Sequence, residues 1–161
     1  MLRTTVALLA TLGIVVLAAQ RGSSPSIVGV WRVSERTITG PEARNITSPQ
    51  PGFRIFTQHY YSVTEVDSDT PRPDLPPEGQ RSDKQYVDAF DPFTARAGTY
   101  EINGNEITTR SIVDKSPNAM RAGNFITFTF MIEGDTLTIT GKANRAGPIA
   151  NPTTTKYTRV E

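Results

Sequence analysis

Residues 95–115, ARAGTYEINGNEITTRSIVDK, and residues 124–142, NFITFTFMIEGDTLTITGK, decide the fold class. In each, two runs of β-branched and aromatic residues alternate with polar ones about a tight-turn signal. The signal is Asn103-Gly104-Asn105 in the first and Gly134-Asp135 in the second. A period of two is the mark of a strand with one face buried. Gly and Asn accept the positive φ that primed hairpin turns require. Both stretches therefore read as β-hairpins, and together they predict four strands of a meander.

The same pattern extends to both sides. Residues 27–39 (IVGVWRVSERTIT) read as a long first strand, and residues 53–57 (FRIFT) and 60–66 (YYSVTEV) as two more. Gln58-His59 separates the latter pair at the spacing of a two-residue hairpin. Residues 153–160 (TTTKYTRV) close the chain. Residues 40–52, 116–123 and 143–152 read as loops, and Pro71, Pro73, Pro76 and Pro77 exclude a central strand over residues 67–79. One helix is expected, over residues 82–90. Ser82 suits its N-cap, Asp83 its first turn, and Tyr86, Val87 and Phe90 recur at helical spacing. The last strand can pair with the first and remove both sheet edges. The prediction is all-β: an eight-stranded up-and-down antiparallel barrel over residues 27–161 with one short helix. A two-layer sandwich is the structural rival.

Composition narrows the function classes. The 161 residues suit one domain. Residues 1–19 carry Arg3 as their sole charged side chain, so the remainder holds 16 basic against 16 acidic groups and is formally neutral. A neutral chain lacks the basic excess that draws proteins to nucleic acid. The absence of cysteine excludes disulfides, thiolate metal sites and a cysteine nucleophile, and His59 is the sole histidine. No metal site and no cofactor are expected, since Gly-rich phosphate loops and nucleophile elbows are missing as well.

Residues 1–19 read as an address. Met1-Leu2-Arg3 gives a positive start, residues 6–19 (VALLATLGIVVLAA) an apolar run, and Ala18 and Ala19 the small residues of a cleavage site. The run is shorter than the roughly 20 residues of a membrane span. The expectation is a secretory signal over 1–19, a Ser/Pro leader over 20–26, a mature protein without a stable membrane anchor, and a periplasmic or extracellular location. The oligomeric state has no sequence signal.

Alternation also nominates an interior. Phe53, Ile55, Tyr61, Val63, Tyr100, Ile102, Phe128, Phe130, Ile132, Leu137 and Ile139 would make an apolar, aromatic lining, either a filled core or a ligand pocket. All but Ile102 and Ile132 are the candidate ligand contacts. Glu65 shares parity with Tyr61 and Val63 and is the best inward acid, whereas Glu101 should face out. Glu65 and His59 are the candidates for acid/base chemistry; His59, at a predicted hairpin tip, reads first as a solvent-facing turn residue.

Several of these segments are similar to the bacterial lipocalin-like domain family. Gly29-Val30-Trp31 with Arg32-Val33-Ser34 resembles its opening Gly-x-Trp-Arg-x-Ser. Residues 53–66 resemble its second and third strands, residues 98–108 its middle hairpin, residues 133–139 the next, and Thr158-Arg159-Val160 the terminal strand. Tyr60 stands where that family places a Gly. The resemblance implies a ligand-sized barrel cavity. It also implies that Trp31 plugs the closed end under a basic side chain, Arg159 first and Lys156 second. Such barrels include carriers and a few cyclases or isomerases, and fold alone does not choose among them. The sequence favours an exported binding protein for a small hydrophobic or amphipathic molecule over a small acid/base cyclase or isomerase, and over a structural domain without a ligand.

Overall fold

A computed structural model of the protein describes residues 26–161. The expected signal segment, and the leader apart from Ser26, lie outside these residues. The strands are β1 (Gly29–Ile38), β2 (Arg44–Ile46), β3 (Gly52–Phe56), β4 (Tyr60–Val66), β5 (Phe93–Asn103), β6 (Glu106–Asp114), β7 (Ile126–Glu133), β8 (Thr136–Asn144), β9 (Gly147–Pro148) and β10 (Thr153–Arg159). Eight of them run antiparallel around a barrel, in the order β10-β1-β3-β4-β5-β6-β7-β8, and β10 pairs back onto β8 to close it. The short β2 and β9 are additions to β1 and β8. The barrel is therefore closed as the alternation predicts, and the sandwich is excluded.

The turns sort to one end. Gly104 and Gly134 take the positive φ that two-residue loops need, so Asn103 pairs with Glu106 and Glu133 with Thr136. The β3–β4 turn closes with no positive-φ residue. Thr57 N–H donates to Tyr60 O at 2.8 Å, and Tyr60 N–H returns a bond to Thr57 Oγ1 at 3.1 Å. The long connections, residues 39–51, 67–92, 115–125 and 145–152, all gather at the opposite end.

The tight-turn end is solid. Trp31, Phe56, Ile107, Leu137 and Tyr157 are fully enclosed, with Tyr61, Val63, Val33 and Ile139 buried beside them. Tyr100, Phe128, Phe130 and Ile132 pack on this cluster and are half-buried. Arg159 lies over the Trp31 indole at 4.0 Å from its centroid, an attraction worth roughly 0.5–2 kcal/mol. Its Nη1 and Nη2 also donate to Val28 O and Ser26 O. Gly29 explains the opening Gly-x-Trp: a Cβ there would sit 2.7 Å from Arg159 Nη1 and 2.4 Å from Glu161 O. Lys156 instead points outward and pairs with Glu35.

The expected interior needs two corrections. Phe53 and Ile55 are 43% and 40% exposed and face the outside, while Gly52, Arg54 and Phe56 face in. The reason is pairing. Residues directly opposite in a hairpin share a face, and Tyr61, Val63 and Glu65 lie opposite Phe56, Arg54 and Gly52. Ile102, expected inside with Tyr100, is exposed near the β5–β6 turn, where the barrel interior ends. The helix α1 (Asp83–Phe90) forms as expected, with Ser82 and Gln85 completing a reciprocal capping box. Its Tyr86, Val87 and Phe90 remain half-exposed, and Ala89 is its buried residue.

Candidate functional site

The loop end of the barrel holds what the tight-turn end lacks: buried charge and open space. Three features of the backbone bring the charges inside. The first is the β3 parity that points Arg54 inward. The second is a register shift on β1: Val33 pairs with Tyr157, but Arg36 pairs with Thr155, so the residues between absorb an extra position. Such a bulge re-aims the side chains beyond it. Trp31 and Val33 face in before the shift, and Arg36 faces in after it. The third is Gly52 opposite Glu65, where a Cβ would stand 2.8 Å from Glu65 Cγ. Glycine leaves the room into which the Glu65 side chain folds.

Glu65 is the centre of the resulting cluster. Its Oε2 accepts from Arg36 Nη2 at 2.9 Å, and its Oε1 accepts from the Tyr157 hydroxyl at 2.7 Å. Arg36 also donates to Asp67, whose other oxygen accepts from Thr94 Oγ1 at 2.6 Å. Burial pushes the Tyr157 phenol well above its ordinary range; the Arg54 charge opposes the shift, and the Glu65 charge and hydrogen bond reinforce it. The phenol is thus a fixed proton donor to the carboxylate.

Arg54 is differently placed. It is 95% buried by its 5% exposure, yet its Nε–H has no acceptor and lies 3.8 Å from Glu65 Oε1. The guanidinium is held between rings, 5.4 Å from the Phe128 centroid and 5.2 Å from that of Tyr157. Burial disfavours its charge, but the neighbouring Tyr157 and Glu65 outweigh this and keep it more firmly protonated than usual. Arg36 Nε likewise has no acceptor.

A cavity of ≈ 240 Å³ opens against these groups, lined by Arg36, Arg54, Glu65, Asp67 and Arg96 on its polar side. Phe128, Ile139, Ile38 and Ile46 supply its apolar wall. A second, more apolar space of ≈ 550 Å³ lies where β6 and β7 part company, their pairing ending at Thr109 and Ile126. Phe125, Ile126, Ala119 and Ala146 line it, with Thr109 and Ser111 as its polar edge. Ile126 and Phe128, two residues apart on β7, each line one of the two spaces.

The sequence-nominated residues divide accordingly. Phe128 and Ile139 reach the arginine-lined cavity. Tyr61, Val63, Leu137 and Phe130 belong to the packed cluster, and Tyr100 sits at the closed end, its hydroxyl on Thr57 O at 2.6 Å. Phe53 and Ile55 are on the outer wall. Glu65 is inward as its parity predicts, and His59 is exposed on the β3–β4 turn, at the barrel end opposite the cluster. Sequence reading missed Arg36, Arg54, Tyr157 and Arg96. Cross-strand parity from β4 was the available signal for Arg54 and Arg96, which pair with Val63 on either side. Among the described residues no His/Cys/Asp/Glu group is arranged to hold a metal ion.

No family model matches the chain, and no curated protein matches it. The chain is similar to the solved structure of an uncharacterized protein from Bacteroides eggerthii. The identity is 13% over 82% of this chain and 98% of that one, with a TM-score of 0.42.

Proposed function

We propose that this chain is an exported, lipocalin-like binding module that holds a small hydrophobic or amphipathic molecule in the loop half of its barrel. The observation that carries this reading is the asymmetry of the interior. One half is packed solid beneath Trp31, and the other keeps spaces of ≈ 240 and ≈ 550 Å³. Ligand sites are concave and mainly apolar with a few placed polar groups, which describes the loop half. A signal over residues 1–19 would deliver the module outside the cytoplasm. Among the described residues no helix is long and apolar enough to cross a membrane.

The partners of Glu65 weigh against the acid/base alternative. Glu65 is inside, but it accepts hydrogen bonds from Arg36 and Tyr157 and has Arg54 at 3.8 Å. A carboxylate so paired is occupied as an acceptor on both oxygens. His59 is out of reach on the turn.

Titrating the purified protein with a neutral solvatochromic dye such as Nile red tests the proposal. Saturable emission with a Kd on the order of micromolar, displaced by 1-octanol, is the expected outcome. A linear, non-saturable response would remove the container reading.

A further inference from the structure

We infer that the bound molecule is an aliphatic monocarboxylate whose carboxylate is seated on the Arg54 guanidinium at the inner end of the arginine-lined cavity. This rests on the container reading above and adds the chemistry of the ligand's head.

The first ground is an unmet demand. An arginine offers five N–H donors. Arg54, almost wholly buried, has an Nε–H without an acceptor and no carboxylate oxygen nearer than 3.8 Å. Buried donors left unmade are costly, and hydrogen bonds to charged groups are the strong ones. Glu65 does not meet this demand because both of its oxygens are engaged, one by Arg36 and one by Tyr157. The Phe128 and Tyr157 rings hold the guanidinium in the wall of the cavity; its Nε is closed off, so a planar anion meets it through the Nη groups, which make no hydrogen bond among the described residues.

The second ground is charge. The cavity wall carries Arg36, Arg54 and Arg96 against Glu65 and Asp67, one positive charge in excess. Arg96, half-buried on β5, is in no ion pair among the described residues. Its cross-strand partner Asp114 is committed to Ser111 Oγ and the Ser116 N–H, each at 2.9 Å. A single negative charge neutralises the set, whereas a dianion such as a phosphate monoester would leave it negative. The barrel geometry places two of these cations together: Arg54 and Arg96 flank Val63 in one cross-strand row.

The third ground is the apolar part of the wall beside the cations. Phe128, Ile139, Ile38 and Ile46 give an otherwise polar lining an apolar part, so the molecule that carries the carboxylate also carries an apolar portion.

The test is a matched pair of probes, octanoate and 1-octanol, titrated calorimetrically into the full mature protein and into Arg54→Met. The wild-type protein is expected to bind octanoate about tenfold or more tighter than octanol, the worth of a charge-assisted hydrogen bond. Arg54→Met should erase that preference, bringing the acid-to-alcohol affinity ratio to about one. Equal affinity of the wild-type protein for acid and alcohol would overturn the carboxylate assignment and leave the container reading standing. Failure of both probes to bind would overturn both. Should Arg54→Met not fold, the acid-to-alcohol ratio of the wild-type protein decides alone. Octyl phosphate binding tighter than octanoate would also overturn the monoanion assignment.

Discussion

The two ends of this barrel are made from the same eight strands, and they are opposite in chemistry. At the tight-turn end the inward positions are Trp31, Phe56, Leu137 and Ile107, close-packed, with the Trp31 Nε1–H bonded to Ile27 O at 2.7 Å and the Arg159 guanidinium over the indole. At the loop end the inward positions include Arg36, Arg54 and Glu65, with space beside them. A close-packed apolar core supplies stability and has no use for a charge. A buried charge cluster is weak evidence for stability, since desolvation offsets much of its attraction. The difference separates the two ends: the plug packs the barrel shut, and the cluster lines the cavity.

That division can be broken most directly at the plug. Trp31→Ala empties a fully buried site and is expected to cost about 3–5 kcal/mol, read as a fall in the urea midpoint. If the loss is below about 1 kcal/mol, typical of surface sites, the solid end is not what holds the fold. Glu65→Gln strikes the other end. It leaves Arg36 and Arg54 buried without their counter-charge, and about 3 kcal/mol is expected from breaking one side of a buried pair. A neutral outcome would mean that water reaches the cluster freely and that the loop half is a surface cleft.

The alkaline limb of stability sharpens the contrast further. Tyr157 has its phenol pKa raised by burial, against Arg54 and with Glu65. The folded state therefore keeps a proton that the unfolded chain releases above about pH 10. The stability this proton provides is fully present below that pH and is lost as pH rises towards the folded value, by about 1.4 kcal/mol per pH unit. Tyr157→Phe should remove one proton's share of that slope in urea titrations between pH 10 and 11. Tyr100, also shifted upward by burial, leaves a residual slope. An unchanged slope would show that Tyr157 is not the buried group. Arg159→Gln is the smaller perturbation. The Trp31 indole keeps its packing but loses the guanidinium above it, a cost of about 1 kcal/mol, with octanoate binding unchanged.

The strand set was legible because its punctuation is local. Asn103-Gly104 and Gly134-Asp135 mark two turns by backbone chemistry alone, and the alternation between them needs no tertiary knowledge. The inside of the loop half was less so, for two physical reasons. On β3, Phe53 and Ile55 look like the buried face and Arg54 like the wet one; hydrophobicity misleads where the interior is charged. The better guide was the two-residue spacing of Gln58-His59. It pairs Thr57 with Tyr60 and so commits the even positions of β3 to the face of Tyr61 and Val63. On β1 nothing local announces the register shift after Val33. Strict alternation from Trp31 puts Arg36 outside, and the pairing of Val33 with Tyr157 and of Arg36 with Thr155 is a long-range fact. Glu65 was found because β4 is regular throughout.

The smallest predicted effect tests that parity. Phe53 lies on the outer wall, opposite Thr64 on β4 and Arg32 on β1. Phe53→Thr puts a β-branched strand former there and removes a ring that is 43% exposed. The cost should stay within about 0.5–1 kcal/mol, the range of substitutions away from the core, with octanoate affinity unmoved. If β3 were turned so that Phe53 and Ile55 faced inward, the same change would open a cavity in the packed cluster and cost several times as much. Arg54 would then be outside, and the charged half of the barrel would lose the residue on which its chemistry turns. A change this mild on stability is thus informative by its mildness: it separates a barrel whose third strand presents an arginine to the interior from one whose interior is apolar from end to end.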